Sequence, residues 1–274
     1  MTRYLFPALA WLPAFALAAG QTPAASRMPD GSRDIYVGLG AQWAPRYAGA
    51  ERDRISGLPA LQLAWSNGVF VSGATLGWHA SQCPVIEYGP LLAWQSPRRG
   101  DGDRAAPTPQ ESTAGTAPHA LVGIDDVAAR VLAGGFFNYY LTPGWRLTNS
   151  VLAGAGADRN GVQWRLGVQR IGIEIGRHHS ITFNGGVDIG NRAYNDAYGG
   201  VTQAQAARSG YAAYAPGGGI RQLRAGARWN WALSPAWLLS SGVDTTRLVG
   251  AAGRSPLAVR PTGVAVTTVL GYRF

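Results

Sequence analysis

The chain has 274 residues, a formal net charge of +9, only 14% charged residues, 38 glycines and 10 tryptophans. Soluble domains carry about 25% charged residues, so this composition fits an ordinary soluble domain poorly. Beyond the N-terminal stretch no apolar run approaches the roughly 20 residues that a membrane-crossing helix needs, which excludes a helical membrane protein.

Arg3 is followed by an apolar stretch from Leu5 to Leu17 and by the small-x-small sequence Ala16-Leu17-Ala18. These features read as a cleaved signal peptide over residues 1–18; Pro7, Pro13 and the short run argue against an anchor helix. No cysteine follows the small residues, so no lipid attachment signal is seen. Residues 19–33 read as a short periplasmic segment. Export also argues against the nucleic-acid binding that a basic balance would otherwise suggest.

From residue 34 onward, stretches of about ten alternating residues are separated by turn residues. Ile35, Val37, Leu39, Ala41 and Trp43 alternate with Tyr36, Gly38, Gly40 and Gln42. Leu61, Leu63 and Trp65 lead to the turn Ser66-Asn67-Gly68, then Gly68–Trp78 and Ile86–Gln95 follow. Ser96–His119 is polar and rich in proline, and reads as a loop extending to about 125. Val131, Ala133, Phe137 and Tyr139 form the next apolar face, opposite Arg130, Asn138 and Tyr140.

Thr142-Pro143-Gly144 turns into Trp145–Ala155. Val162, Trp164, Leu166 and Val168 come next, and the apolar phase then slips to Ile171, Ile173 and Ile175. A one-residue slip turns every side chain to the other face, so a β-bulge near Arg170 is expected. Ile181, Phe183, Val187 and Ile189 follow, then a long loop over 191–216, then Leu223, Ala225, Ala227, Trp229 and Trp231. Trp237, Leu239 and Val243 precede a loop over 250–261. The last segment alternates Val264, Val266, Thr268, Leu270, Tyr272 and Phe274 with small or polar residues.

The second face of these segments is polar, while the apolar face carries aromatics at the strand ends. That is the inside-out pattern of an all-β, transmembrane antiparallel β-barrel in a Gram-negative outer membrane. Eleven strands can be counted. Single-chain bacterial barrels have an even number, and the discrepancy falls between residues 56 and 95, where a short strand is merged or missed. Twelve strands are expected first, ten second. Short turns (66–68, 142–144, 234–235) should face the periplasm and long loops the outside.

The inward face nominates Arg130, Arg146, Arg165, Arg224 and Arg228 with Glu174, Asp188 and Asp244. They either form a basic constriction that favours anions or pair with one another in a plugged barrel. The long 191–216 loop carries Tyr194, Tyr198, Arg208, Tyr211 and Tyr214, residue types that anchor interfaces; it is either a lid or a partner surface. Tyr272 and Phe274 read as the signal for the barrel-assembly machinery, and membrane lipid and lipopolysaccharide are the expected surroundings.

No enzymatic constellation emerges. His79 with nearby Ser81 is a weak triad candidate, and the other histidines are His119, His178 and His179. His178-His179 lacks companion metal ligands. Gly38-Leu39-Gly40 and Gly154-Ala155-Gly156 lie in strand-like alternation and precede no helix, so they are not nucleotide loops. No cofactor is expected. Cys83 is the only cysteine and reads as an incidental loop thiol.

Several motifs together carry a family resemblance. They are Tyr36-Val37-Gly38-Leu39-Gly40, Ala44-Pro45-Arg46-Tyr47-Ala48-Gly49, Leu58-Pro59-Ala60-Leu61 with Trp65, and Gly89-Pro90-Leu91-Leu92. In the second half come Tyr198-Gly199-Gly200-Val201-Thr202, Gln205-Ala206-Ala207-Arg208-Ser209-Gly210, Tyr214, Gly217-Gly218-Gly219, Ser255-Pro256 and Gly271-Tyr272-Arg273-Phe274. Over nearly the whole mature chain this resembles the MipA/OmpV family of outer-membrane proteins. The length of Ser96–His119 and the pair His178-His179 depart from it. The resemblance implies a scaffold for murein synthesis and hydrolysis, with a lytic transglycosylase and a penicillin-binding protein as partners; a narrow porin-like channel for small anionic solutes, or an adhesin, is the alternative. It attaches no catalytic residues.

Overall fold

A computed structural model describes residues 31–98, 100 and 121–274. The expected signal peptide, most of the expected segment before β1 and most of the Ser96–His119 loop lie outside the described residues. Twelve antiparallel strands form one closed barrel, each paired with its neighbour in sequence. In order they are β1 (Arg33–Pro45), β2 (Asp53–Trp65), β3 (Val69–Ser72), β4 (Thr75–Trp78), β5 (Ile86–Gln95), β6 (Arg130–Thr142), β7 (Trp145–Ala155), β8 (Gly161–Ile175), β9 (His179–Gly190), β10 (Gly219–Ala232), β11 (Trp237–Leu248) and β12 (Thr262–Arg273). Three short helices lie in the loops: α1 (Arg192–Gly199), α2 (Gln203–Ser209) and α3 (Gly250–Gly253).

Closure is made by β1 and β12, with Leu39 opposite Leu270 and Val37 opposite Tyr272. The seam needs small residues on its inner side. A Cβ on Gly40 would come within 2.2 Å of the Thr268 carbonyl oxygen.

The apolar faces are exposed on the outside of the barrel. Leu39, Val131, Leu147, Val243, Val264 and Leu270 lie there, exposed, where lipid would cover them. Outward Trp43, Trp94 and Trp164 lie toward the long-loop end, and Trp145, Trp229, Trp231, Trp237 and Tyr272 toward the short-turn end, as two aromatic belts. Tyr272 packs edge-on against Trp237 and Phe274 at centroid distances of 5.0 and 4.9 Å. His179 joins the same belt, stacked on Trp229 at 5.7 Å.

Two irregularities in the wall have identifiable causes. In β8 the register against β9 shifts between Arg170 and Ile173, and Gly172 sits there at φ +62°. This bulge sets Ile173 opposite Ile181, so the isoleucines return to the lipid side. In the region of the parity conflict, Gly68–Trp78 is a hairpin of two four-residue strands, β3 and β4. Its last bonds toward the long-loop end are Gly73 N–H to the Leu61 oxygen and Trp94 N–H to the Ala74 oxygen. The β2 stretch from residue 53 to 60 therefore pairs only with β1. The Leu61 carbonyl points toward β3, so Pro59, two residues away, turns its donorless nitrogen to that unpaired edge, where proline costs no ladder bond.

Candidate functional site

The inward faces hold a nearly continuous polar network along β5 to β11. At the short-turn end its centre is Glu87, 8% exposed. Its carboxylate accepts hydrogen bonds from Tyr140 Oη at 2.7 Å, Asn138 Nδ2 at 3.1 Å and Arg146 Nη1 at 3.4 Å. Arg146 also donates to Gln169 Oε1 at 2.6 Å. Glu87 was not among the acids nominated from sequence, because it is one charge in an otherwise apolar strand next to Pro90.

Further along, Arg228 faces Asp244 at 3.9 Å, and Arg224 Nε donates to Asp188 Oδ1 at 2.7 Å. The fully buried Gln222 donates to the other Asp188 oxygen at 3.2 Å. Gly226 leaves room for the Asp244 carboxylate: a Cβ there would lie 2.2 Å from Asp244 Oδ1. Three of the five nominated arginines are thus neutralised by acids, and they do not form a bare basic ring.

The remaining nominated residues lie elsewhere. Arg165 is opposite Asp188 in register, but it donates to Gln163 Oε1 at 3.2 Å, and its Nε has no partner. Arg130 stands at the long-loop rim and donates to the carbonyls of Ala128 and Gly156. Glu174 is exposed at the short-turn end, opposite Ser180, with no ion pair among the described residues. The sequence reading placed it in the lumen network, and the structure leaves it outside.

Toward the long-loop end of β5, β6 and β7 the interior turns apolar. Leu91, Leu132 and Leu152 point inward, with Phe70, Ala93 and Phe136 packed against them. Tyr194 and Tyr198 of α1 descend onto this cluster. The 191–216 segment is therefore a lid built from short helices. Asn191 caps α1 by accepting from Tyr194 N–H. Thr202 and Gln205 form a reciprocal capping box on α2, and Gly210 ends it in the left-handed conformation.

A second apolar cluster ties the lid together: Leu121, Ile124, Val201 and Leu257, with Tyr211 and Tyr214 against it. Tyr214 Oη also donates to the Ala251 carbonyl of α3. Arg208 pairs with Asp125. Of the two readings of this loop, lid or partner surface, the packing of Tyr194, Tyr198, Tyr211 and Tyr214 favours the lid; Arg208 alone of the five is exposed.

Above the network, Arg98 lies over the Tyr198 ring at 5.7 Å, Tyr198 lies against Tyr194 at 4.9 Å, and Arg221 lies over Tyr194 at 5.0 Å. Burial raises the Tyr198 phenol far above its usual range; Tyr194 adds to this, and Arg98, Arg130 and Arg221 oppose it.

The weak catalytic candidates do not assemble. In the turn after β4, His79 lies tilted against Phe70 at 4.6 Å and edge-on to Phe136 at 5.3 Å, while Ser81 Oγ accepts from Tyr88 N–H. Burial holds the His79 imidazole below its ordinary range, against the charge of Glu87. Among the described residues no group of three His, Cys, Asp or Glu could hold a metal.

The model of a family described as "MltA-interacting protein MipA" matches residues 37–274. No curated protein matches. Among solved structures, an outer membrane channel from Pseudomonas putida F1 aligns with a TM-score of 0.44 and 11% identity, covering 90% of this chain and 97% of that one. The outer membrane channel DcaP of Acinetobacter baumannii aligns at 0.39 and 8%, covering 89% and 96%. The toluene transporter TodX of Pseudomonas putida aligns at 0.34 and 11%, covering 92% and 91%.

Proposed function

The chain belongs to the family of the MltA-interacting protein MipA, and from that membership we propose that this outer-membrane barrel is a non-enzymatic scaffold for murein-processing enzymes. The observation that carries the reading is the filled interior. Arg146, Arg224 and Arg228 are held by Glu87, Asp188 and Asp244, and α1 closes the mouth over an apolar cluster. A barrel filled in this way has its rims, rather than its lumen, to offer a partner. The partner classes are a lytic transglycosylase and a penicillin-binding protein.

The test is a pull-down from envelope extracts with the folded protein as bait. A murein hydrolase should be retained by the native barrel and absent from a heat-unfolded control. Retention of no such enzyme under several detergents would remove the scaffold reading.

A second reading, a narrow channel for small anionic solutes, is favoured by Arg165, whose Nε is buried without a partner on the inner wall. Reconstitution in planar bilayers separates the two. Steps of conductance with anion preference support the channel, and silence at every tested salt concentration removes it.

A scaffold for murein enzymes must turn its short-turn end to the periplasm. Cys83 is exposed in the turn between β4 and β5 at that end. A bulky, membrane-impermeant maleimide should therefore label Cys83 only after the outer membrane is permeabilised. In a Cys83→Ser background, Arg208→Cys should label in intact cells. Labelling of Cys83 in intact cells would invert the orientation.

A further inference from the structure

We propose that the long-loop mouth of the barrel contains a binding site for a small oxyanion, a carboxylate or phosphate group, built on Arg221 and Arg98 around Tyr198.

The first observation is a bulge. The register between β9 and β10 shifts between Ile220 and Gln222, so Arg221 is an extra residue in the wall. Ile220 faces lipid, while Arg221 and Gln222 are both buried, at 7% and 0% exposure. Bulges re-aim side chains, and this one carries a guanidinium under the lid.

The second observation is charge. Among the described residues Arg221 has no carboxylate partner. It reaches Tyr194 Oη at 3.3 Å and lies on the face of that ring. Arg98 resembles it, donating to the carbonyls of Tyr198 and Asp125. Asp125 and Asp126 lie close enough to act on the Arg98 charge, although Asp125 bonds to Arg208 and Gln205 and Asp126 to Gly100 N–H, so Arg221 is the cation with the clearer deficit. Arg130 adds a third cation; among the described residues it bonds to carbonyls, with Asp158 close enough to feel its charge. Burying cations without anions is costly, and deeper in the barrel the same chain supplies an acid to each of Arg146, Arg224 and Arg228.

The third observation is unmet hydrogen bonding. Arg221, Tyr198 and Asn195 line one small cavity together with Ser255 and Ala48, with room as it stands for about one water, so an oxyanion enters only as these side chains give way. Among the described residues Arg221 Nε, Tyr198 Oη and Asn195 Oδ1 are buried without partners, as is Arg98 Nε nearby. A single water could answer the hydrogen bonds, since it both donates and accepts. It would not answer the charge. An oxyanion answers the charge, its oxygens accept from the guanidinium and phenol, and a protonated form such as dihydrogen phosphate also donates to Asn195. Guanidinium favours planar and tetrahedral oxyanions over halide because its donors form a fork. The site holds whether or not the barrel conducts.

The test uses the purified, folded protein in detergent, melted from low ionic strength in rising sodium acetate, phosphate or chloride. Phosphate or acetate should raise the midpoint saturably, by about 5 °C at a hundredfold excess over Kd, and at lower concentration than chloride. Arg98→Gln/Arg221→Gln should abolish this rise, while exposed Arg192→Gln should keep it. If the double variant does not fold, Tyr198→Phe decides, since it removes only one donor: affinity should fall about tenfold. A water alone in the cavity predicts no anion dependence, and that result overturns the proposal. So does a rise equal in parent and variant, chloride acting as well as the oxyanions, or full affinity in Tyr198→Phe.

Discussion

Glu87→Leu should lower the melting midpoint of the folded barrel by on the order of 10 °C. The carboxylate is the common acceptor for Tyr140, Asn138 and Arg146. Without it, Arg146 is left at 16% side-chain exposure with no other ion pair among the described residues. Removing one partner of a buried pair costs about 3–5 kcal/mol, and each kcal/mol moves the midpoint of a protein this size by about 2–4 °C. Glu87→Gln separates charge from hydrogen bonding. It keeps one oxygen acceptor for Tyr140 but lacks the negative charge, so its midpoint should lie between the other two. The shift is read from the temperature at which the fast-migrating folded form is lost on unheated gels, checked by circular dichroism. A midpoint within about 2–3 °C of the parent for Glu87→Leu, well short of the expected shift, would mean that water enters and the short-turn end of the lumen is open.

The barrel itself was legible because lipid imposes a simple rule on each strand. Every second side chain faces hydrocarbon, so Val264, Val266, Leu270 and Tyr272 announce their face without any knowledge of neighbours. The phase slip at Ile171 was legible for the same reason, since only a bulge keeps Ile173 and Ile175 outside. The rule fails where a strand is short. Four residues in β3 and four in β4 give two alternations each, too few to separate from one bent strand.

Pairing inside the lumen was illegible for a different reason. Arg165 stands directly opposite Asp188 in register, yet Arg224 takes that carboxylate, and nothing in linear sequence ranks the two. The lid carried a readable signal that passed unused: Thr202 followed three residues later by Gln205 is a helix-starting capping box. Tyr and Arg in a long loop suggested a partner surface, but rings such as Tyr194 are large enough to fill a barrel mouth, and filling it removes more apolar surface from water than display would.

The strongest test of a filled interior reverses its charges. Arg224→Glu with Arg228→Glu sets new carboxylates against Asp188 and Asp244, at positions where the native ion-pair distances are 2.7 and 3.9 Å. A unit charge pair near 4 Å is worth about 4 kcal/mol at an intermediate effective dielectric, so turning attraction into repulsion at two sites should exceed the 5–15 kcal/mol or so that typically holds a domain together. The double variant should yield no folded, heat-modifiable form. Adding Asp188→Arg and Asp244→Arg restores opposite charges across both pairs and should recover much of the folded form, because coupled sites compensate where independent ones do not. Arg165 limits the recovery, since it lies opposite Asp188 and would then face a second cation; Arg165→Gln in the same background should relieve it. An open, water-filled lumen predicts a different pattern. There the reversed charges would be screened over about 8–10 Å at physiological salt, the double variant would fold, and its only phenotype would be a change of ion preference in planar bilayers. A folded double variant with that phenotype would replace the scaffold by a channel whose selectivity is set at Arg224 and Arg228.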